Sequence, residues 1–473
     1  MLRLLVPFLC LLAACEPGPE PVDSAEAPLF GFPDNQNGLP AEVSYPAVAR
    51  NARGDTLLVW TRVTWRNPFG LGPGTVQSVV EGRYRAAGSL FFGPTQRLSV
   101  EGKFCIFPAA ALDPTGRAVV SWLEQTVDYD VVATTRSTAG AWSAPLSITA
   151  GQARLVDQKR PELAVDAAGN ATLLWQQLDD RALMTGTTAR YDVAAGTWSA
   201  PFLLDADNDS ASWTSLFVDA HGDAWIAYLG DETQSTPLLR LRRRPAGSST
   251  WLAPENAATV TGTSTIGLTP SLVVDAAGTI TIAWLEPATP GDAVVVRVVS
   301  RTAHGAWGPK MTLSAPQNRG TSGFYGGPMP RLGVDAAGDV VAAWAQLGGP
   351  NQASGPSVIQ TSTRLAGSGV WTAAASLSPP NDTSFNPHLV VAANGAAAVS
   401  WTHVGWLSLT EQRAARPVPT GAWSALRDLS LVGYTWTPDA AIDANGNAVY
   451  AWQRTADSLG FLGLIETWEE TIR

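Results

Sequence analysis

Cysteine almost vanishes from this chain after its first fifteen residues: beyond Cys10 and Cys15 only Cys105 is left. One thiol cannot form an internal disulfide, so the folded part must be held by its core alone. Cys105 sits in Phe-Cys-Ile-Phe, with no basic or histidine partner nearby, and reads as a small buried hydrophobe, not a nucleophile. Charge is also scarce, at 15% of residues against the usual quarter, and the net charge is −10. The one arginine-rich run is Arg240 to Arg244, and an acidic chain of this kind is not expected to bind nucleic acid. The Arg240/Arg242 alternation reads as one exposed strand face. Four histidines, His221, His304, His388 and His403, offer no metal-ligand spacing and no Ser/His/Asp set. No second apolar segment long enough to cross a membrane follows the amino terminus.

What is abundant is repetition. A turn glycine is followed six residues later by an aromatic eight times: Gly54/Trp60, Gly116/Trp122, Gly169/Trp175, Gly222/Tyr228, Gly278/Trp284, Gly338/Trp344, Gly395/Trp401 and Gly446/Trp452. Three residues before each glycine stand Asn51, Asp113, Asp166, Asp219, Asp275, Asp335, Ala392 and Asp443. Asp-Ala-Ala-Gly fits a type I turn, whose first side chain accepts a backbone N–H two residues on. These Asn and Asp residues are therefore structural turns. The run from Ala171 to Trp175 is apolar or small at every position, as expected of a strand with neighbours on both sides.

Each repeat can be written as four strands. In the third copy these are Glu162 to Asp166, Ala171 to Gln177, Met184 to Tyr191 and Thr197 to Leu204. A second aromatic column, Trp142, Trp198, Trp251, Trp307, Trp371 and Trp423, with Phe92 standing in for the first copy, precedes the fourth strands and reads as core. Repeated four-stranded sheets are blades, so the expected fold is all-β: an eight-bladed β-propeller of four-stranded antiparallel blades. The final stretch, Leu464 to Glu470, aligns with a third strand, which leaves the eighth copy short of a fourth. Ala27-Pro28-Leu29 resembles Ala144-Pro145-Leu146, so an N-terminal strand is expected to complete the last blade and close the ring. A seven-bladed ring with a spare repeat, or a two-domain split, is the rival.

The amino terminus carries an address. Met1 to Cys15 has one basic residue, an apolar core and small residues before a cysteine, the pattern of an export signal. Leu12-Ala13-Ala14-Cys15 resembles the lipobox of bacterial lipoproteins, which implies lipidation of Cys15. Residues 16–27 are acidic and proline-rich, a tether spanning ~35 Å at ~3.1 Å per residue. Residues 28–473 form the single propeller domain. The expected location is the bacterial cell envelope, anchored by lipid and facing periplasm or surface. Glu16 after the cysteine favours the outer membrane. The chain is expected to be monomeric.

The Asp-turn-Gly-strand-Trp copies resemble the Asp-box repeats of sialidase-like propellers. An Asp box reads Ser-x-Asp-x-Gly-x-x-Trp, whereas here Asp and Gly stand three apart and Trp six beyond Gly. The resemblance implies the architecture. Its catalytic set of an arginine triad, a Tyr/Glu pair and an Asp acid/base is matched only by Arg160 and Arg331 at the starts of first strands.

Ligand chemistry is expected on the face opposite the Asp turns, where connections differ between blades. Trp65, Trp213, Trp406 and Trp436 fall there, with Tyr45, Phe107, Phe324, Tyr325 and Phe385. Trp65, Trp213, Tyr325, Trp406 and Trp436 are the candidate ligand-binding residues: they either stack on sugar rings or plug the mouth. Asp205, Asp207 and Asp209 have the spacing of the first three ligands of a calcium loop, but Ser210 and Leu216 depart from it. No cofactor beyond such a Ca2+ is implied. Asp128, Asp130, Asp179 and Asp180 offer paired carboxylates for glycoside hydrolysis. The leading expectation is a non-enzymatic binding module for a glycan or an envelope protein. The alternatives are a sialidase-like or other glycoside hydrolase and a structural or assembly protein of the envelope.

Overall fold

A computed structural model describes residues 42–66, 76–125, 129–150, 159–180, 182–204, 211–230, 237–261, 269–288, 293–318, 329–348, 356–406, 408–430, 434–455 and 463–473; the side chains of residues 42, 65, 66, 318, 436 and 437 are excepted. The described residues are all β, with no helix among them. The strands fall into six sheets along the chain: five are antiparallel and hold one turn-glycine hairpin each, and the sixth, of eleven strands, runs through the last three units, joined by the parallel pairs Ser357 with Thr383 and Leu409 with Tyr434.

One unit illustrates the rest. Arg331–Val334, Val340–Leu347, Ser357–Arg364 and Ala375–Ser376 pair in that order. Asp335 Oδ1 accepts the backbone N–H of Ala337 at 3.0 Å and of Asp339 at 2.9 Å, and Gly338 adopts φ 91°. That is a type I turn followed by a left-handed residue, a position where glycine alone is free of a Cβ clash. The same two bonds recur at Asn51, Asp113, Asp166, Asp219, Asp275 and Asp443. Where Ala392 replaces the acid, Asn394 accepts from Ala396 instead.

Beyond each turn the second strand is sandwiched. Val340–Leu347 is buried over its first six residues, and Trp60, Trp122, Trp284, Trp344 and Trp401 are inaccessible to water. Each aromatic lies between successive sheets, so the core is a series of interfaces between sheets, not one centre. Burying such a ring contributes roughly 2–3 kcal/mol.

The second aromatic column differs from its expectation as core. Trp142, Trp198, Trp307, Trp371 and Trp423 are only half-buried; Trp251 alone is buried. Arginines ending the third strands cap them: Arg244 over Trp251 at 5.1 Å, Arg301 over Trp307 at 5.3 Å, Arg364 over Trp371 at 5.8 Å and Arg416 over Trp423 at 4.8 Å. Arg85 stacks over Phe92 in the same way. These arginines also staple one sheet to the previous one, Arg364 to Ser300 and Arg244 to Thr172. Burial lowers the Arg244 guanidinium to about 10.

The exposed-face reading of Arg240 and Arg242 is overturned. Arg242 is 5% exposed and lies over the Phe202 ring, and Arg240 is half-buried. Alternation marks one face of a sheet, but here the neighbouring sheet covers that face.

The inner strands contact one another in sequence. They are Glu42–Arg50, Cys105–Leu112, Glu162–Val165, Ser212–Val218, Ser271–Val274, Arg331–Val334, Thr383–Val391 and Tyr434–Ile442, and the last also contacts the first. Arg50 pairs with Asp443 at 3.3 Å and Arg85 with Glu469 across that contact. Val43, Val48, Leu58, Trp60, Val449, Ala451 and Ile465 form its apolar core. Gly463–Thr471 pairs with Asn447–Thr455 as a third strand, and the segment expected to lie beside it, residues 27–29, is outside the described residues.

Candidate functional site

The inner strands share an irregularity. Register breaks between Ser44 and Ala47, Ile106 and Ala109, Ser212 and Ser215, Phe385 and His388, and Trp436 and Asp439. Tyr45, Phe107, Trp213 and Asn386 occupy these bulges at φ 50–54°, a left-handed conformation that non-glycine residues avoid. Proline follows Tyr45, Phe107 and Asn386. Such strain is held by its surroundings and costs on the order of 1–3 kcal/mol per residue. Bulges re-aim side chains, and these sit at the end of the strand away from the Asx turns.

The position after each break, with its equivalents in the other three units, differs from unit to unit: Ala47, Ala109, Glu162, Ser215, Ser271, Arg331, His388 and Asp439. Some of these side chains have structural work. Asp439 accepts the N–H of Val48 at 3.1 Å, Glu162 that of Leu216 at 2.7 Å and Ser271 that of Leu332 at 2.9 Å. Each satisfies a backbone donor on the free edge of the next inner strand.

The cations are different. Arg160 reaches Asp439 at 3.3 Å and the Pro46 carbonyl at 2.8 Å, joining the third unit to the eighth and the first. His388 Nδ1 lies 3.7 Å from Asp439. Burial lowers the His388 imidazole to about 4, with Asp439 opposing and Arg331 and Arg160 reinforcing, so the ring is neutral at physiological pH. Arg331 forms no hydrogen bond or ion pair with a described residue. Its side chain is exposed to water at the start of an inner strand, within the electrostatic reach of Glu162, Asp439 and Arg160. Desolvation by the protein around it lowers its pKa, while Glu162 and Asp439 raise it and Arg160 lowers it. A cavity of about 310 Å³, lined by Arg160, Glu162, Asp439 and Leu216 among others, opens beside the cluster. A guanidinium without a partner in such a place suits a planar carboxylate or a sulfate.

The sequence candidates fare unevenly. Trp213 lies in an inner strand, not in a loop; it packs on the core, and its buried indole N–H has no acceptor among the described residues. Trp65 and Trp436 likewise belong to strands by their backbones, but their side chains, and all of Tyr325, lie outside the described residues. Trp406 is 94% exposed in the hairpin between Ala397–Gly405 and Ser408–Arg416. Tyr45 and Phe107 are also strand residues and stack on each other at 4.4 Å. Asp205, Asp207, Asp209 and Asp128 are outside the described residues. Asp130 accepts from Thr149 and Asp179 from Leu183, both local bonds, and Asp180 is exposed. Cys105 is buried, and burial pushes its thiol up to about 12, as an inert core residue requires. The mouth cluster was missed as a set: Arg160, Arg331 and His388 were visible singly. The signal that finds Arg331 and His388 is the residue after the proline that opens most inner strands; Arg160 stands directly before its proline, Pro161.

No family model matches the sequence, and no curated protein does. Solved structures of similar fold include the β-propeller domain of the trilobed protease from Pyrococcus furiosus, at 9% identity and TM-score 0.45, covering 78% of this chain and 98% of that one. Others are a Penicillium chrysogenum α-L-arabinanase bound to arabinobiose (12% identity, TM-score 0.41, 66% and 92% covered) and an ulvan lyase (10%, 0.39, 91% and 94%). At TM-scores below 0.5 these likenesses carry neither a blade count nor an activity to this chain.

Proposed function

We propose that the chain is an exported, lipid-anchored eight-bladed β-propeller that binds an anionic glycan at the mouth enclosed by its inner strands. The eight turn-glycine hairpins and the unbroken series of inner-strand contacts, returning from the eighth to the first, support the blade number. The three described strands of the last unit leave the place that an N-terminal strand would take. The lipobox at Cys15 and the acidic tether support anchoring to the outer membrane. The ligand reading rests on one observation: the exposed Arg331 guanidinium, without a partner among the described residues, within the electrostatic reach of Arg160, Glu162 and Asp439. Sugar rings bearing a carboxylate or sulfate match that site in charge and in hydrogen-bonding demand.

A second reading is a glycan-cleaving enzyme at the same mouth. The neutral His388 beside Asp439 has the character of a general base, and Glu162 supplies a further carboxylate. Immobilised protein is expected to retain carboxylated or sulfated oligosaccharides from a glycan array in preference to neutral ones. Retention of none, with no reducing ends released from the same panel, would sink both readings. Reducing ends released by wild type and lost in His388→Gln would promote the enzyme.

A further inference from the structure

We infer that the rim of the Asx-turn face around the junction of the first and eighth units rests on the lipid bilayer, so that the mouth carrying Arg331 points away from the membrane. This rests on the lipid anchor and closing strand proposed above. Strand polarity supplies the first argument. Inner strands run towards the Asx turns, second strands return, and third strands run back: Thr56 pairs with Arg85, Val340 with Arg364 and Asn447 with Thr471. A fourth strand antiparallel to Gly463–Thr471 must begin beside Thr471, on the turn face, and end near Glu42 at the mouth. With such a strand the chain upstream would leave from the turn face, and Cys15 would be tied to it by residues 16–27, an acidic proline-rich stretch that spans ~35 Å when extended.

The second argument is independent of the missing segment. Third-to-fourth connections also lie on the turn face, and they expose large apolar side chains unevenly. The first unit offers Leu90 and Phe91, each 70% exposed, the sixth Leu365 and Val370, and the seventh Val418. Among the described residues the corresponding connections of the second, third and fifth units expose none, and that of the fourth only Leu252. The apolar rim is thus an arc flanking the eighth unit. Leu90 and the Glu469–Thr471 end of the last strand line one cavity of about 360 Å³, which puts the apolar loop next to where the tether would leave. Exposed apolar side chains clustered on one arc mark an interaction surface, and the surface an acyl anchor holds there is lipid.

The test uses the full-length acylated protein in vesicles of phosphatidylethanolamine and phosphatidylglycerol that carry a nitroxide-labelled lipid. Phe91→Cys, Val370→Cys and Trp406→Cys are each labelled with an environment-sensitive fluorophore. Labels at positions 91 and 370 are expected to be quenched at least twofold more than the label at 406, which is on the mouth side. The Leu90→Ser/Phe91→Ser variant, labelled at 370, is expected to fall towards the level at 406. Quenching at 406 in preference to 91 and 370, in protein whose Cys15 carries acyl mass, overturns the orientation and leaves the anchor standing. Protein without acyl mass that stays in the aqueous fraction removes the anchor and the orientation together.

Discussion

The two ends of every inner strand obey different rules. At the turn end seven units place Asn or Asp at one position and make the same two backbone bonds with it. At the mouth end, a few residues earlier, the equivalent position is filled by alanine, glutamate, serine, arginine, histidine or aspartate. A residue that recurs does what each unit needs in order to fold. A residue that breaks its column must be explained by its own surroundings. Aspartates that look like a site are turns, and the site candidates hide among residues that match nothing.

The comparison can be broken first at the aromatic column. Trp344→Ala empties a water-free position between two sheets and is expected to cost ~3–5 kcal/mol in denaturant unfolding. A loss below ~1 kcal/mol would show that the column is not core.

The next effect comes from an exception inside the core. The residue before the partner of that aromatic is Val80, Val131, Leu239, Val296, Ile359 or Ile465 in six units and Gly186 in the third, but in the seventh it is Glu411, inaccessible to water. Burial raises its carboxyl to about 8, the Ser400 and Thr402 hydroxyls opposing. The unfolded chain, near ~4.3, releases that proton first as pH rises. The contribution of the protonated form is complete below pH ~4.3 and lost as pH climbs towards 8. Glu411→Gln is therefore expected to stabilise by roughly 1–3 kcal/mol at pH 8 and by little at pH 4. Equal effects at both values would contradict this.

His388 has the opposite slope. With the folded imidazole held to about 4, its neutral form supports folding fully above pH ~6.5, and that support is lost as pH falls towards 4. The span is about 2 kcal/mol once its partial contact with water is allowed for. Melting curves of His388→Gln against wild type should converge at acid pH; curves that stay parallel would refute the assignment.

The turns come last. Asp275→Ala is expected to lose ~1 kcal/mol, by analogy with a lost helix cap, and Ala392→Asp to gain a few tenths. Reversed signs would mean that the Asx bonds do not carry the turn.

Much of the fold was legible because it is set locally. Asp-Ala-Ala-Gly dictates its turn by backbone stereochemistry, and the aromatic six residues on falls on the central strand whatever the rest of the chain does. The mouth was illegible because ring geometry assembles it: Arg160 and Asp439 are 279 residues apart. The left-handed bulges at Tyr45 and Trp213, which carry expected loop residues into strands, have no local signature beyond a following proline that Trp213 lacks. Arg242 was misread for a related reason, since a strand's own pattern does not report the sheet stacked against it.

The most direct test sets one residue of each end against the other. Calorimetric titration with the anionic oligosaccharide best retained on the array is carried out on wild type, Arg331→Ala and Asp275→Ala, with a melting curve for each. Arg331→Ala is expected to weaken binding at least ~10-fold, or ~1.4 kcal/mol, at unchanged Tm, while Asp275→Ala lowers Tm and leaves Kd alone. Binding untouched in Arg331→Ala, or abolished in folded Asp275→Ala, would contradict the division between a structural turn face and a functional mouth.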